Sequence, residues 1–299
     1  MNTSTFRLSA MSALEFFKIF SKEKSALVGL VFLILVVLSA TFAPLLSPQN
    51  PYDLMQLDIM DGRLAPGSES MSGMTYVLGT DTQGRDMLSA ILHGLRISLV
   101  VGLCAATLAF VLGTIAGLCA AYFGGRWDAF LMRLVDLQLS IPTILAAMLI
   151  LAFLGKGITN VVIAIVVVEW ATYARTARGT ALSEMQKDYI EAARSLRMPW
   201  YNILFRNLLP NSISPLIVLL TMQVARAIAL EATLSFLGLG VPITEPSLGL
   251  LISNGYTYML SGAYWISIYP GIALLITIYS INLVGDRLRQ ILDPKAELR

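Results

Sequence analysis

Six apolar runs, near residues 26–46, 97–121, 132–154, 158–175, 213–237 and 265–285, are each long enough to cross about 30 Å of hydrocarbon as a helix. Inside a bilayer every backbone amide must be satisfied within the protein, so runs of this length leave the helix as the spanning element. Charged residues make up 13% of the chain and hydrophobic ones 56%, whereas a soluble domain carries about a quarter charged residues. The expectation is an all-α polytopic membrane protein with six transmembrane helices.

The placement of Lys and Arg orients those helices. With the N-terminus inside, four fall in the N-terminal tail, two in the loop of Arg126 and Arg133, six between Arg175 and Arg206, and four in the C-terminal tail. Four remain outside, namely Arg63, Arg85, Arg96 and Lys156. Sixteen against four puts both termini in the cytoplasm of a multi-pass cell-membrane protein. The expected division is a cytoplasmic tail over 1–25, a first transmembrane helix over 26–46 and an external segment over 47–95. A transmembrane core over 96–286 follows, with a cytoplasmic loop at 176–211, a second external loop at 238–264 and a cytoplasmic tail at 287–299. Lys18, Lys22 and Lys24 precede the first run as in a signal peptide, but the leader is long and no small-x-small site follows, so the run reads as a retained anchor.

Catalytic chemistry finds little to work with. His93 is the one histidine, there is no HExxH, and no GxxxxGK[ST] occurs, the single Gly-Lys being Gly155-Lys156. Cys104 and Cys119 lie in one predicted helix and are too far apart along it to bond. No metal or cofactor site is expected in this chain, no nucleic-acid partner is implied, and any nucleotide chemistry belongs to another polypeptide.

Three charges fall inside the apolar runs: Glu169, Arg226 and Glu231. Each costs about 2.5–3.5 kcal/mol on insertion scales, so each either lines a path or belongs to a buried structural pair. Arg226 and Glu231 are five residues apart and do not share a helix face. The second run repeats small residues every four positions, Ala105, Ala109, Gly113, Gly117 and Ala121, which fits close packing inside the subunit or against another. Pro142 is expected to kink the third span. Outside, LGTDTQGRD holds Gly79, Asp81, Gly84, Arg85 and Asp86; with carboxylates at its centre it reads as a structural turn that caps the next helix rather than a phosphate loop.

The stretch SEMQKDYIEAARSLRMPWYNILFRNLLPN interrupts the apolar chain. Met185, Tyr189, Ala192, Ala193 and Leu196 fall on one helical face, so a first amphipathic helix is expected. Met198 before Pro199 is pushed out of helical conformation, and a second helix presents Trp200, Tyr201, Leu204, Phe205 and Leu208 before Pro210 stops it. Such a hairpin can lie on the lipid surface or dock on another protein, and the residues alone leave both open.

EAARSLRMPWYNILFRNLLPN resembles the EAA loop of binding-protein-dependent ABC importer permeases, with Glu191, Ala192, Ala193, Leu209 and Pro210 in register. Arg197 stands where the family has Gly, and Asn207 where it commonly has Ile. KEKSALVGLVFLIL, LGTDTQGRDMLSAILHGLRISLVVG, EATLSFLGLGVP and YPGIALLITIYSINLVGDRLRQILDPK resemble the C-type permease of the dipeptide, oligopeptide and nickel subfamily, with Leu248-Gly249 in place of a Trp-Gly. The resemblance implies the type I ABC importer permease (MetI-like) fold and a permease subunit that carries short peptides or related solutes. It implies a second, homologous permease, two cytoplasmic ATPases that bind ATP and Mg, and an extracytoplasmic substrate-binding protein. Tyr189, Glu191, Ala192, Ala193, Arg194, Leu196, Arg197, Leu209 and Pro210 would then form the ATPase-docking loop. A nickel-chelate or opine importer of the same subfamily, or a membrane scaffold or lipid-facing enzyme, are the alternatives.

Overall fold

The computed structural model describes residues 18–53, 57–70 and 73–292; most of the tails expected at 1–25 and 287–299 fall outside them. Among the described residues, five helices are long and apolar enough to cross a membrane: α1 (Lys24–Thr41), α2 (Met87–Phe123), α5 (Ile158–Glu184), α7 (Trp200–Phe236) and α9 (Trp265–Leu292). Between α2 and α5 lie α3 (Gly125–Ser140) and α4 (Thr143–Leu154), which meet at 95°. The helices α6 (Asp188–Ser195) and α8 (Leu248–Tyr256) are short.

The third span is therefore broken, and the count reaches six only if the bent pair is taken as one crossing. Ile141, forced away from the helical region by the following proline, is extended, and Pro142 becomes the cap of a new helix. The 12 residues of α4 rise about 18 Å, too short to cross alone.

Helix α2 begins at Met87, ten residues before the predicted span, because Asp86 caps it: its Oδ2 accepts from the Ser89 amide at 2.8 Å and the Ser89 hydroxyl at 2.6 Å. Its 37 residues extend about 55 Å, well beyond the hydrocarbon thickness.

The small-residue stripe of α2 is buried inside this subunit. A Cβ on Gly113 would lie 2.3 Å from the Trp170 carbonyl oxygen, and one on Gly117 2.3 Å from that of Ala174, so α5 packs backbone against backbone here. Val101, Ala105 and Ala106 of α2 meet Ala147 and Leu151 of α4, Val161, Ala164 and Ile165 of α5, and Ala227 and Leu234 of α7 in the main core. The free thiols of Cys104 and Cys119 lie exposed and half-buried.

Residues 58–70 and 73–86 wind around Asp61. Its Oδ2 accepts from Ser70 Oγ at 2.7 Å and Tyr76 Oη at 3.1 Å, and its carbonyl from Thr80 Oγ1 at 2.6 Å. Strands β1 (Ser68–Glu69) and β2 (Thr75–Tyr76) pair antiparallel within this segment. Trp265 Nε1 donates to the Thr80 carbonyl at 3.1 Å, fastening the segment to the start of α9.

Candidate functional site

The loop after α5 breaks where one amphipathic helix was expected. Helix α5 ends at Glu184, residues 185–187 turn, and α6 starts at Asp188. Glu184 organises the turn: its Oε1 pairs with Lys187 Nζ at 2.6 Å and its Oε2 accepts from Tyr189 Oη at 2.8 Å. Burial, followed by this contact with Glu184, pushes the Tyr189 phenol above its usual range. From sequence Glu184 reads only as part of the polar side of an amphipathic helix, although its i,i+3 spacing to Lys187 is a local signal.

The expected apolar face of α6 divides. Ala193 and Ile190 are buried against Leu118 and Ala121 of α2, Ala181 of α5, and Ile203, Leu204 and Leu208. Glu191, Ala192 and Arg194 are exposed, and Leu196 is 77% exposed. The reason is length: the helix is only eight residues long, so Met185 lies before it and Leu196 is its C-cap, free of the periodicity that would turn it inward. The Arg194 guanidinium lies over the Tyr122 ring, 6.0 Å from its centroid.

Arg197 adopts φ 51°, the left-handed conformation that the family's glycine would take without cost. The Arg197 amide donates to Arg194 O at 2.9 Å and the Met198 amide to Ala193 O at 3.1 Å, the paired bonds of a Schellman cap. The arginine thus holds the left-handed position of a helix-ending turn that glycine most readily fills. Pro199 caps the next helix with an extended ψ of 145°.

Pro210 does not end that helix. Trp200–Phe236 runs through it, with a π-helical stretch at Ile203–Leu208 in which the Leu209 amide reaches back to Leu204 O. A wider turn just before a proline accommodates the missing donor and the ring that would strike the preceding carbonyl. Asn211 Nδ2 donates to Asn207 O at 2.7 Å alongside. Leu209 is half-buried and Pro210 exposed. The loop is therefore a short helix and tight turn welded by the Ala193 face to α2 and α7, presenting Glu191, Ala192, Leu196 and Trp200 outward. Beside it, Arg178 Nη2 donates to Asp128 Oδ2 at 2.6 Å and Arg175 pairs with Asp136, joining α5 to α3.

The structure does not bring the three charges of the apolar runs together as one site. Glu231 is fully buried, with Ser98 Oγ donating to Oε2 at 2.8 Å and Ser235 Oγ to Oε1 at 2.7 Å. It joins α2 to α7. Glu169 is buried and accepts from Gln223 Nε2 across the α5–α7 contact. Arg226 is exposed, within Coulombic range of Glu169. The serines and Gln223 carry no sequence signal of their own; only a buried acid makes them meaningful.

In the turn at 78–86, Asp81 Oδ1 accepts from the Gln83 amide at 2.7 Å and the Arg85 amide at 2.9 Å. Gly84 has φ 77°, and a Cβ there would lie 2.0 Å from Asp58 O; Gly79 has φ 78° and faces Leu64 O at 2.6 Å. Arg85, 1% exposed, sends Nη2 to the Ile243 carbonyl at 3.0 Å, linking this segment to the loop after α7. Burial lowers the Arg85 guanidinium and raises the Asp81 carboxyl, each opposed in part by the other's charge. Among the described residues no cluster of three or more potential metal-ligating side chains occurs.

Residues 85–298 match the family profile of binding-protein-dependent transport system inner membrane components, and residues 13–66 match the N-terminal transmembrane domain of oligopeptide transport permease C. A di/tripeptide transport system permease protein of Pseudomonas aeruginosa is 38% identical over 282 residues, 94% of this chain and 91% of that one. A dipeptide transport system permease of Bacillus subtilis is 34% identical over 92% of this chain and 83% of its own. A glutathione transport system permease of Pectobacterium atrosepticum is 36% identical over 94% and 90%. The inward-facing MetNI methionine ABC transporter shares the fold, with a TM-score of 0.57 at 20% identity over 69% of this chain and 97% of that chain. Fold, motifs and relatives agree: this chain belongs to the binding-protein-dependent ABC importer permeases, as a membrane-spanning transport subunit of the oligopeptide permease C type and not an enzyme.

Proposed function

We propose that this chain forms, with a second homologous permease, the translocation path of an importer for short peptides, in the inner membrane of a bacterial cell with both termini cytoplasmic. Residues 47–95 and 238–264 then face a substrate-binding protein, and residues 176–211 face two ATPase subunits that bind ATP and Mg. The observation that carries this reading is the loop itself. Its inner face, Ile190 and Ala193, is fixed to the bundle, while Glu191, Ala192 and Leu196 stand exposed on a helix too short to move independently. A push on that face passes directly into α2 and α7, and a rigid element that both sites bias is what coupling requires. The transport of di- and tripeptides, dipeptides and glutathione named for the relatives supports the peptide class. Exposed Arg226 is the intramembrane charge we assign to the path, with Glu169 behind it and Glu231 serving the packing.

The test is uptake by proteoliposomes that hold the purified complex and its binding protein. Labelled dipeptide or oligopeptide should enter only with internal ATP. Uptake of a nickel chelate or an opine with no peptide transport would overturn the cargo class. Persistence of uptake in a complex lacking both ATPases would overturn the coupling.

A further inference from the structure

A cavity of about 450 Å³ lies between α1, α2, α7 and α9, lined by Leu33 and Val37, Leu99 and Leu103, Val224, and Ile281. Val37 and Leu103 are 44% and 58% exposed, so the cavity opens sideways onto the apolar outer surface of the bundle. Thr41 and Arg96 also line it, at the end of the bundle where residues 42–86 connect α1 to α2. Arg96 is exposed and forms no ion pair or hydrogen bond among the described residues. Glu245 and Arg96 both influence Tyr52 electrostatically, yet they do not pair with each other.

We propose that this groove binds one acyl chain of an anionic phospholipid whose phosphate pairs with Arg96. Shape argues first. From Arg96 to Leu103 the wall on α2 descends about 10 Å, and from Thr41 to Leu33 the wall on α1 descends about 12 Å. That depth is close to one leaflet, half of a hydrocarbon core of about 30 Å, and suits a single chain. Charge argues second. Lipid tails are as apolar as the groove wall, so the wall selects a shape and gains only van der Waals contact. The guanidinium supplies the selectivity: it takes a phosphate bidentately, and an anionic glycerol headgroup such as that of phosphatidylglycerol brings no ammonium of its own to compete.

The experiment uses the complex purified through a tag on this chain and exchanged into nanodiscs of three parts phosphatidylcholine to one part phosphatidylglycerol. Lipid retained after stripping is quantified by mass spectrometry, and a phosphatidylglycerol with a photoreactive acyl chain maps the contact. Native complex should retain phosphatidylglycerol about fivefold over its share of the bilayer, equivalent to ~1 kcal/mol, with adducts on Leu33, Val37, Leu99 or Leu103. Arg96→Gln should bring retention to the bulk ratio, and Arg96→Lys should keep most of the preference. Leu103→Trp, which fills the groove and leaves Arg96 in place, should remove the adducts. An unchanged lipid ratio in Arg96→Gln, or groove cysteines that cross-link to a second permease in the native complex, would overturn the proposal.

Discussion

Ala192 and Ala193 are neighbours in sequence and opposites in space, so one substitution made at each position separates folding from docking. Ala193 is 4% exposed, packed among Ile190, Ile203, Leu204 and Leu208. Arginine there overfills the cluster, at ~1–3 kcal/mol, and places an unpaired cation in it, whose effective penalty is several kcal/mol after relaxation. The sum exceeds the ~4 kcal/mol that marks exceptional single substitutions. Ala192 is exposed, and a surface change of this kind usually stays within ~0.5 kcal/mol. In detergent-solubilised membranes, Ala193→Arg should reduce the amount of folded chain and its thermal midpoint. Ala192→Arg should leave both unchanged and yet lower co-purification of the ATPase and ATP-driven uptake. Full ATPase recruitment and uptake with Ala192→Arg would refute the docking face. Native thermal behaviour with Ala193→Arg would refute the packing from which that face was deduced.

Arg197→Gly removes a left-handed arginine that costs ~1–2 kcal/mol, so the chain should become more heat-resistant with transport retained, whereas Arg197→Val should weaken both; a lower midpoint for the glycine variant would count against the observed turn. Gly117→Ala, which places a Cβ 2.3 Å from Ala174 O, should cost ~1–3 kcal/mol in thermal unfolding, while Gly179→Ala, with open space around it, should be neutral or gain up to ~1 kcal/mol. Glu231→Ala orphans the hydroxyl donors of Ser98 and Ser235 and should lower the amount of assembled complex, with uptake falling only in proportion; normal assembly with abolished uptake would instead restore a path role. Single cysteines at Gly67 and Lys187, with Cys104 and Cys119 replaced, should react with an impermeant thiol reagent from outside only at Gly67, and labelling of position 187 in intact cells would reverse the proposed orientation.

The helical, membrane-spanning class was legible because bilayer physics acts on each segment alone: twenty apolar residues satisfy their own backbone wherever they lie. Asp86 was legible as a cap candidate for a similar reason, since the amide it accepts from is only three residues away. The family was readable from motifs whose order and spacing survive in one dimension.

Other features depend on what meets across the bundle. That Ala192 faces out and Ala193 in is set by where α2 and α7 stand, because an eight-residue helix has too few turns for periodicity to define its face. Pro142 and Pro210 have the same local chemistry, yet one breaks a helix at 95° and the other is absorbed by a π turn. The serines that donate to Glu231 come from α2 and α7, and only their convergence in space turns a costly buried acid into a satisfied joint. Sequence alone determined that the chain is built of helices long and apolar enough to cross a membrane and to which family it belongs, because those depend on local hydrophobicity and ordered motifs. Tertiary structure decided which side of each segment is wall and which is contact, because burial is a property of neighbours that the chain brings together from far apart.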